Sequence, residues 1–365
     1  MTVTVHPTLR SLTATAVSVP MRRPLGTSAQ RIDTASLALV DLQTEEGITG
    51  RAYAFCYLPS IALALVPIVA ELSATLAGAP VAPLELARRV GRHLKLPGIT
   101  GPLAMVASAV DTAAWDAFAQ AAGVPLAAVL GAQARPIPAY NSTGLGLMTA
   151  DQARVEAVAL TEGGFTAVKL RLGRPTARED LAVVRAVRDA LPDEVHLMVD
   201  FNQALSFAEG MRRCVMLDGE GVYWIEEPIR HDDYRHLALI AQATATPIQI
   251  GENFTGTAPM VAALEAGATD YVMPDLDRIG GVTGWQQAAG LAAAHDREVS
   301  SHLFPEVSAH LLCATPGGHW LEYVDWAEPV LEQPLEIADG LAIPSTEPGN
   351  GLRWDRAAVV HHRLG

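Results

Sequence analysis

From about residue 135 onward, the sequence alternates short apolar runs of strand character with amphipathic runs of helical character. This alternation is typical of repeated βα units, which build a parallel sheet. Eight such units predict an α/β fold that closes into a barrel, with a short and modified last unit. The strand-like runs are PIPAYNS (136–142), FTAVKLR (165–171), VHLMVD (195–200), VYWIEE (222–227), TPIQIGE (246–252), YVMPD (271–275), EVSSHL (298–303) and WLEYV (320–324).

The residues before the barrel have a different pattern. SLTATAVSVPM and ASLALVDLQTEEGITGRAYAF have the character of long strands joined by turns, and helical runs follow them. This order predicts an α+β capping domain at 1–130. The tail, 340–365, is rich in Pro and Gly, so we expect it to complete the cap rather than extend the barrel domain, 131–339.

The composition narrows the classes of function. A chain of 365 residues with 50% hydrophobic content can bury a large core. Its net charge of −14 argues against nucleic acid and anionic membranes as partners. The first residues, MTVTVHPTLR, lack the features of a signal peptide, so we predict a cytoplasmic location.

The most hydrophobic stretch of the chain is residues 61–82, which Pro67, Glu71 and Pro80 interrupt. A membrane span needs about 20 predominantly apolar residues. We therefore expect a buried helix here rather than a membrane span.

Ionisable residues end the second to the eighth predicted barrel strands, where active sites of this architecture are built. Three of them, Asp200, Glu226 and Glu252, are acids spaced at one βα unit. Carboxylates brought so close together need a cation, and oxygen ligands select Mg²⁺, or Mn²⁺, over zinc. The alternative, three independent surface acids, is disfavoured because an apolar run places each acid at a strand end.

The sixth, seventh and eighth strands supply Asp275, His302 and Glu322. An Asp that accepts a hydrogen bond from one imidazole nitrogen fixes the tautomer and makes the other nitrogen more basic. His302 is therefore a candidate general base, although a hydrogen-bonded core histidine gives the same pattern. Glu322 could share a proton with a developing substrate oxygen if burial raises its pKa.

The run TAVKLRLG places two cations, Lys169 and Arg171, on one face of a strand. Burying unpaired cations is costly, so the strand either lies at an edge with a solvated face or presents both cations to an anion. Lys169, together with a divalent ion, could hold a substrate carboxylate while its α-proton leaves.

These residues resemble the enolase superfamily and, within it, the mandelate racemase subgroup. The resemblance runs from near residue 17 through the tail and implies a modified (β/α)₇β barrel under an α+β cap, so that the eighth helix is missing. It also implies a homo-oligomer, from dimer to octamer. The matching stretches are AYNSTG, VDFNQ, WIEEP, GEN, MPDLDRIGGVTGW, SSHLFPEVSAHLLCATP and HWLE.

The resemblance also implies roles for individual residues. One base is His302 with Asp275, Lys169 contacts the substrate carboxylate, and Glu322 is the electrophilic partner. Ser142 and Asn202 match positions near the substrate and the metal, and Tyr57 matches a residue of the specificity lid. The implied Mg²⁺ ligands are Asp200, Glu226 and Glu252.

One position departs from the family pattern. The second base is usually the second lysine of a Lys-x-Lys pair, and here it is Arg171. With a reference pKa of about 12.5–13.8, an arginine is neutral in roughly one molecule per million at pH 7. This substitution puts two-base racemisation in doubt.

The sequence favours an Mg²⁺-dependent enzyme that abstracts the α-proton of a small carboxylate substrate to give a metal-stabilised enolate. The expected reaction is racemisation or epimerisation of an α-hydroxy acid, in an apolar pocket formed by Phe55, Leu96, Leu303 and Val324. The alternative is a lyase, an acid-sugar dehydratase or cycloisomerase, that uses His302 as its main acid and base. A non-catalytic metal-binding scaffold is a third hypothesis.

A barrel mouth must be covered to exclude water from an enolate. We expect the lid to come from the cap, from residues 25–31 and the segment around Tyr57. The run RIGGVTG (278–284) has glycines that could suggest a phosphate loop, but the Lys-Ser/Thr of a P-loop does not follow, so we interpret it as a tight turn.

Overall fold

An antiparallel sheet opens the chain, which a computed structural model describes from residue 6 to residue 365. Its strands are β1 (Leu9–Gly26), β2 (Arg31–Thr44) and β3 (Thr49–Phe55), paired in that order. Side chains alternate between the two faces of a strand, and both faces of this sheet are apolar. Val40 and Ala52 pack under the cap helices, whereas Leu39 and Tyr53 belong to the core shared with the barrel.

Helices cover the outer face of this sheet. The first helix, α1, packs one side on the cap core through residues such as Leu65, Val69 and Leu72, at helical spacing. The helices of this region are α1 (Pro59–Leu76), α2 (Pro83–His93), α3 (Pro102–Ala122) and α4 (Leu126–Val129).

The expectation of a buried helix at 61–82 is only partly right, because α1 ends at Leu76 and 28% of it is buried. Within the described residues, α1 is the one helix long and apolar enough to cross a membrane. One such helix is weak evidence of a span, since the core helices of globular proteins have the same length and composition.

The barrel follows the cap, and each of its eight parallel strands lies within one of the predicted runs. The strands are β4 (Ile137–Asn141), β5 (Ala167–Arg171), β6 (His196–Asp200), β7 (Val222–Glu226), β8 (Ile248–Ile250), β9 (Tyr271–Val272), β10 (Glu298–Val299) and β11 (Leu321–Tyr323). Neighbours pair in chain order from β4 to β10, and β11 pairs with β4. The Ser301 N–H donates to the Trp320 carbonyl at 2.9 Å, which joins β10 to β11 and closes the ring.

Helices follow the barrel strands on the outside. They are α5 (Ala150–Ala159), α6 (Ala177–Arg188), α7 (Phe207–Leu217), α8 (Tyr234–Ala243), α9 (Thr257–Ala266), α10 (Leu276–Ile279), α11 (Gly281–Ala294) and α12 (Pro305–Cys313). A 3₁₀-helix, Glu328–Val330, follows β11 where an eighth barrel helix would stand. The modified (β/α)₇β barrel with an α+β cap is therefore confirmed.

The chain ends with a hairpin and a tail. The hairpin, β12 (Glu336–Ala338) and β13 (Leu341–Ile343), pairs with β4 of the barrel. The tail then returns to the cap through helix α13 (Arg356–His362) and through Leu364, whose N–H donates to the Ala16 carbonyl. A division at 339/340 lies in the turn of this hairpin, and the domain limits remain a prediction.

Candidate active site

Three carboxylates meet at the mouth of the barrel. Asp200 and Glu226 end β6 and β7, and Glu252 follows β8. Gly251 allows this placement because it has a φ of +144°, and a Cβ there would lie 2.7 Å from the Met273 nitrogen. Ligand oxygens of the three acids lie within 4.8 Å of one another, and all three side chains are buried.

The electrostatics of these acids favour a bound cation. Burial raises the pKa of Asp200, and burial with the nearby Asp200 charge raises the pKa of Glu226 to about 8. A divalent ion between these acids would offset their mutual repulsion and stabilise their buried charges. Three oxygen ligands fit a hard ion such as Mg²⁺ or Mn²⁺.

Lys169 lies next to the acids. Its Nζ is 2.9 Å from Glu226 Oε1, 2.8 Å from Glu322 Oε1 and 3.7 Å from Asp200 Oδ2. Burial lowers the pKa of Lys169, but Glu226 and Glu322 outweigh it and raise this pKa well above its usual value. The side chain is therefore an ammonium ion.

Arg171 points into the same barrel but contacts different groups. Its Nη1 donates to the carbonyls of Ser142 (3.2 Å) and Gly144 (2.8 Å), and its Nη2 donates to Ser142 Oγ at 2.8 Å. All five residues of β5 are buried between β4 and β6. The interpretation of this strand as a solvated edge is therefore wrong.

His302 and Asp275 form a buried pair. His302 Nδ1 lies 2.6 Å from Asp275 Oδ2, and the N–H groups of Asp277 and Arg278 donate to Asp275 Oδ1. The Asp275 carboxylate thus holds one imidazole nitrogen and leaves Nε2 on the cavity side, 3.4 Å from Glu252 Oε2. Burial lowers the pKa of His302, but Glu252 and Asp275 raise it to about 9.

Glu322 is surrounded by donors. Its Oε1 accepts from Ser142 Oγ (2.8 Å) and its Oε2 accepts from the Leu303 N–H (2.9 Å). Burial raises the pKa of Glu322, but Lys169, His302 and Arg171 together lower it below its usual range. The proton-sharing role expected from the sequence needs a raised pKa, and these three neighbouring cations act against it.

These side chains border a cavity of about 200 Å³ between the barrel mouth and the cap. Of the residues expected to contact substrate, Tyr57, Asn202 and Leu303 line it. Ser142 lies behind Glu322, fully buried.

The apolar pocket expected from the sequence is largely wrong. Leu96 is 97% exposed on the cap surface, and Phe55 packs behind the cavity against Tyr57 and Trp326. Val324 is buried but does not line the cavity, so Leu303 is the one member of that set that does. The side chains that line the cavity in their place are mostly polar or charged.

The expected lid segment, 25–31, lies over this cavity. Leu25, Thr27, Ala29 and Gln30 line it. Ser28 Oγ donates to the carbonyl of Phe201 at 3.1 Å, next to Asp200, which ties the segment to the barrel.

Comparison with known proteins agrees with this geometry. Residues 10–131 match the mandelate racemase/muconate lactonizing enzyme N-terminal domain, and residues 152–358 match the enolase C-terminal domain-like family. The chain belongs to the mandelate racemase/muconate lactonizing enzyme family. The resemblance read from the sequence is confirmed.

Three relatives illustrate the range of the family. L-talarate/galactarate dehydratase of Salmonella typhimurium is 36% identical over 72% of this chain and 66% of its own. The 3,6-anhydro-α-L-galactonate cycloisomerase of Streptomyces coelicolor is 29% identical over 93% of this chain and 94% of its own. A Bradyrhizobium enolase, solved with magnesium and mandelic acid, is 38% identical over 99% of both chains, with a TM-score of 0.94.

These relatives are isomerases and lyases, and this member of the family is an enzyme of the same kind. The named dehydratase and cycloisomerase match the alternative reaction class better than the racemase.

Five residues that line the cavity were not among those expected from the sequence: Ile32, Gln203, Asn253, Arg278 and Trp326. Gln203 and Asn253 lie one to three residues after the acids Asp200 and Glu252, so their spacing was a usable signal. Arg278 lies in the run interpreted as a tight turn, and Trp326 lies in an apolar context, so neither was predictable from its sequence position.

Proposed function

We propose that this enzyme is an Mg²⁺-dependent lyase that dehydrates an acid sugar, a polyhydroxylated carboxylic acid. The observation that carries the proposal is the position of Arg171, whose hydrogen bonds tie it to the carbonyls of Ser142 and Gly144. The Arg171 guanidinium is engaged in these hydrogen bonds, and the Lys169 ammonium pairs with Glu226 and Glu322, so neither group is free to accept a proton. His302 is then the group next to the cavity that can transfer one. One base suits an elimination and not a racemisation.

Asp200, Glu226 and Glu252 would hold the Mg²⁺, the ion present in the Bradyrhizobium relative. When bound, Mg²⁺ supplies a Lewis acid that stabilises negative charge on the substrate carboxylate. Lys169 adds a fixed positive charge beside the same site, held by Glu226 and Glu322.

His302 would move the proton. His302 acts as a base in its neutral form, which the Glu252 charge disfavours until a bound cation offsets that charge. Asp275 holds Nδ1, so the neutral imidazole accepts the α-proton at Nε2 as the C–H bond breaks. The imidazolium then returns that proton to the β-hydroxyl, whose C–O bond breaks so that water leaves. The resulting enol becomes a 2-oxo acid without any oxidant or reductant.

The polar lining of the cavity supports a polyhydroxylated substrate. Thr27 and Gln30 come from the lid, and Gln203, Asn253 and Arg278 come from the barrel. Hydroxyl groups lose hydrogen bonds to water on binding, and polar side chains of this kind restore them.

A racemase is the second candidate, because mandelic acid, which has an α-hydroxyl and no β-hydroxyl, binds the Bradyrhizobium relative. Racemisation needs a proton acceptor on each face of the α-carbon, and an arginine is almost never neutral. A cycloisomerase would use the same proton abstraction, with an internal oxygen as nucleophile or leaving group.

The test is a screen of acid sugars and α-hydroxy acids with Mg²⁺, in which 2-oxo acid formation is measured. We expect release of water from at least one acid sugar, and we expect His302→Asn to abolish it. His236→Asn is the matched control, because His236 pairs with Asp233 at 2.7 Å on α8, away from the cavity. Racemised mandelate without 2-oxo acid from any acid sugar would contradict the proposal.

The cellular location and the oligomeric state of the enzyme remain predictions. We place the enzyme in the cytoplasm as a homo-oligomer. Sedimentation velocity of the purified chain tests the second point, and a monomer at micromolar concentration would contradict it.

A further inference from the structure

Arg171 stands where the family usually has a lysine, and its guanidinium lies between the end of β4 and the cavity. Besides the two carbonyls, it contacts the side chain of Ser142, with Nη2 at 2.8 Å from Oγ. Ser142 is fully buried and Arg171 is 3% exposed. The hydroxyl of Ser142 therefore has protein partners only.

The direction of each hydrogen bond follows from what each group can do. A guanidinium can only donate, so Ser142 Oγ accepts from Arg171. The single hydroxyl proton of Ser142 then points to Glu322 Oε1 at 2.8 Å, the acceptor that the described chain offers it. Arg171 thus fixes Ser142 as a donor to Glu322.

The other partners of Glu322 are donors as well. The Lys169 ammonium lies 2.8 Å from Oε1 and the Leu303 N–H donates to Oε2 at 2.9 Å. Neither group can accept a hydrogen bond. With Ser142, these groups place two donors on Oε1 and one on Oε2, and donors around a carboxylate favour its ionised form.

We infer that Arg171 is a positioning residue which, through the Ser142 hydroxyl, holds Glu322 as an ionised carboxylate that orients Lys169. This inference rests on the proposed function for its role in turnover. It changes the role expected from the sequence, in which Glu322 shares a proton with the substrate. Protons then enter and leave through His302.

Charge balance supports the assignment. Lys169 and Arg171 are two buried cations beside one another, and a buried cation is costly without an anion. An ionised Glu322 in contact with Lys169, and linked to Arg171 by one hydroxyl, offsets both. A neutral Glu322 would leave them facing only Glu226 and Asp200, which the metal site also needs.

The protonation of Glu322 can be measured directly. An infrared difference spectrum between the Mg²⁺-loaded wild type and Glu322→Gln at pH 7 shows whether the wild type contributes the carbonyl band of a protonated carboxylic acid. We expect that band to be absent in the wild type. We expect it to appear in the difference between Arg171→Met and the double variant Arg171→Met/Glu322→Gln. The band of a protonated carboxylic acid in the wild type overturns the inference. This comparison uses only the wild type and Glu322→Gln, so it holds even if the Arg171 variant does not fold.

A double-mutant cycle tests whether Ser142 transmits the effect. In kcat, Arg171→Met should cost at least about fivefold less in a Ser142→Ala background than in the wild type, because the contact is already lost. Effects that multiply independently, in folded variants, overturn the role of Ser142. Arg188→Met is the control, because Arg188 also donates to carbonyls, those of Val195 and Leu191, away from the cavity.

The two proposals fail in different ways. If the wild-type spectrum lacks the protonated band but no acid sugar is dehydrated, the proposed function is wrong and the ionised state of Glu322 stands. If acid sugars are dehydrated and the band is present, the dehydratase stands and the inference about Arg171 is wrong.

Discussion

At the scale of single residues, Asp275 decides which nitrogen of His302 can act. Asp275→Asn keeps a good N-cap for α10, but its amide can donate to His302 Nδ1 and so force the proton onto Nε2. We expect kcat to fall by about 10²–10⁴, the usual contribution of a general base. Steady-state kinetics test this.

The control for this change is Asp270→Asn, because Asp270 accepts from the Ile248 N–H near the opposite end of the barrel strands. Mg²⁺ affinity should stay unchanged in both variants. A normal kcat in Asp275→Asn would show that the tautomer of His302 does not matter.

A second residue-scale prediction concerns the metal. Calorimetric titration should find one Mg²⁺ per chain, and chelation should abolish turnover. Asp200→Asn should weaken binding by at least about tenfold, because it removes one of three ligand charges. Asp193→Asn, on an exposed turn before β6, is the control. Equal affinity in both variants, or full activity without metal, would contradict the site.

Individual residues were predictable from the sequence where position alone sets their role. Asp200 and Glu226 end their strands, Glu252 follows the next strand, and the closure of the barrel brings the three together. The state of Glu322 was not predictable, because it depends on Ser142 and Leu303, which come from other strands. Leu96 shows the opposite error, since an apolar residue in a loop carries no sign of which way it faces.

At the scale of elements, the expected lid segment 25–31 contacts the barrel through Ser28 and through the Gly26 carbonyl, which accepts from the Leu147 N–H. Ser28→Ala removes its hydrogen bond to the Phe201 carbonyl. We expect KM to rise about 2- to 10-fold, equivalent to a bond of roughly 0.5–1.5 kcal/mol, with a smaller change in kcat. Ser60→Ala, on the exposed start of α1, is the control. If even deletion of 25–31 left rate and substrate preference unchanged, the segment would have no lid role.

Helix α12 carries a histidine that should set a pH limit on stability. His310 is fully buried, its Nδ1 accepts from the Ala127 N–H, and burial lowers its pKa to about 4. The unfolded chain, with a histidine pKa of about 6.5, binds more protons between these values. The free energy of unfolding should therefore fall as the pH drops from about 6.5 to 4, by up to roughly 3 kcal/mol from this group.

His310→Asn keeps an acceptor for Ala127 and removes the titration. Urea unfolding at pH 7 and pH 4.5 should show a smaller pH dependence in this variant than in the wild type. An unchanged dependence in His310→Asn would show that His310 is not the responsible group.

The elements themselves were largely predictable. Each barrel strand is an apolar run between turn residues, so its position follows from the sequence alone. The polar character of the cavity was not predictable, because Gln30 and Arg278 meet there only after the cap has docked on the barrel.

At the scale of the whole molecule, the cavity belongs to neither domain alone. The Phe55 N–H of β3 donates to Asp277 Oδ2 at 2.9 Å, and Tyr53 Oη donates to Glu306 at 2.8 Å. Asp277 lies in the same short turn as Asp275, the partner of His302. The cap strand that leads to Tyr57 is thus anchored next to the His302–Asp275 pair.

The central claim, that His302 is the one base of this site, is tested most directly by hydrogen exchange in D₂O. The two epimers of an acid sugar at the α-carbon are each incubated with enzyme and Mg²⁺, and loss of the α-hydrogen signal is followed by NMR. We predict exchange from one epimer only, and none from either in His302→Asn. Exchange of both epimers at comparable rates in the wild type would contradict the account, because Arg171 or Lys169 would then act as a second base.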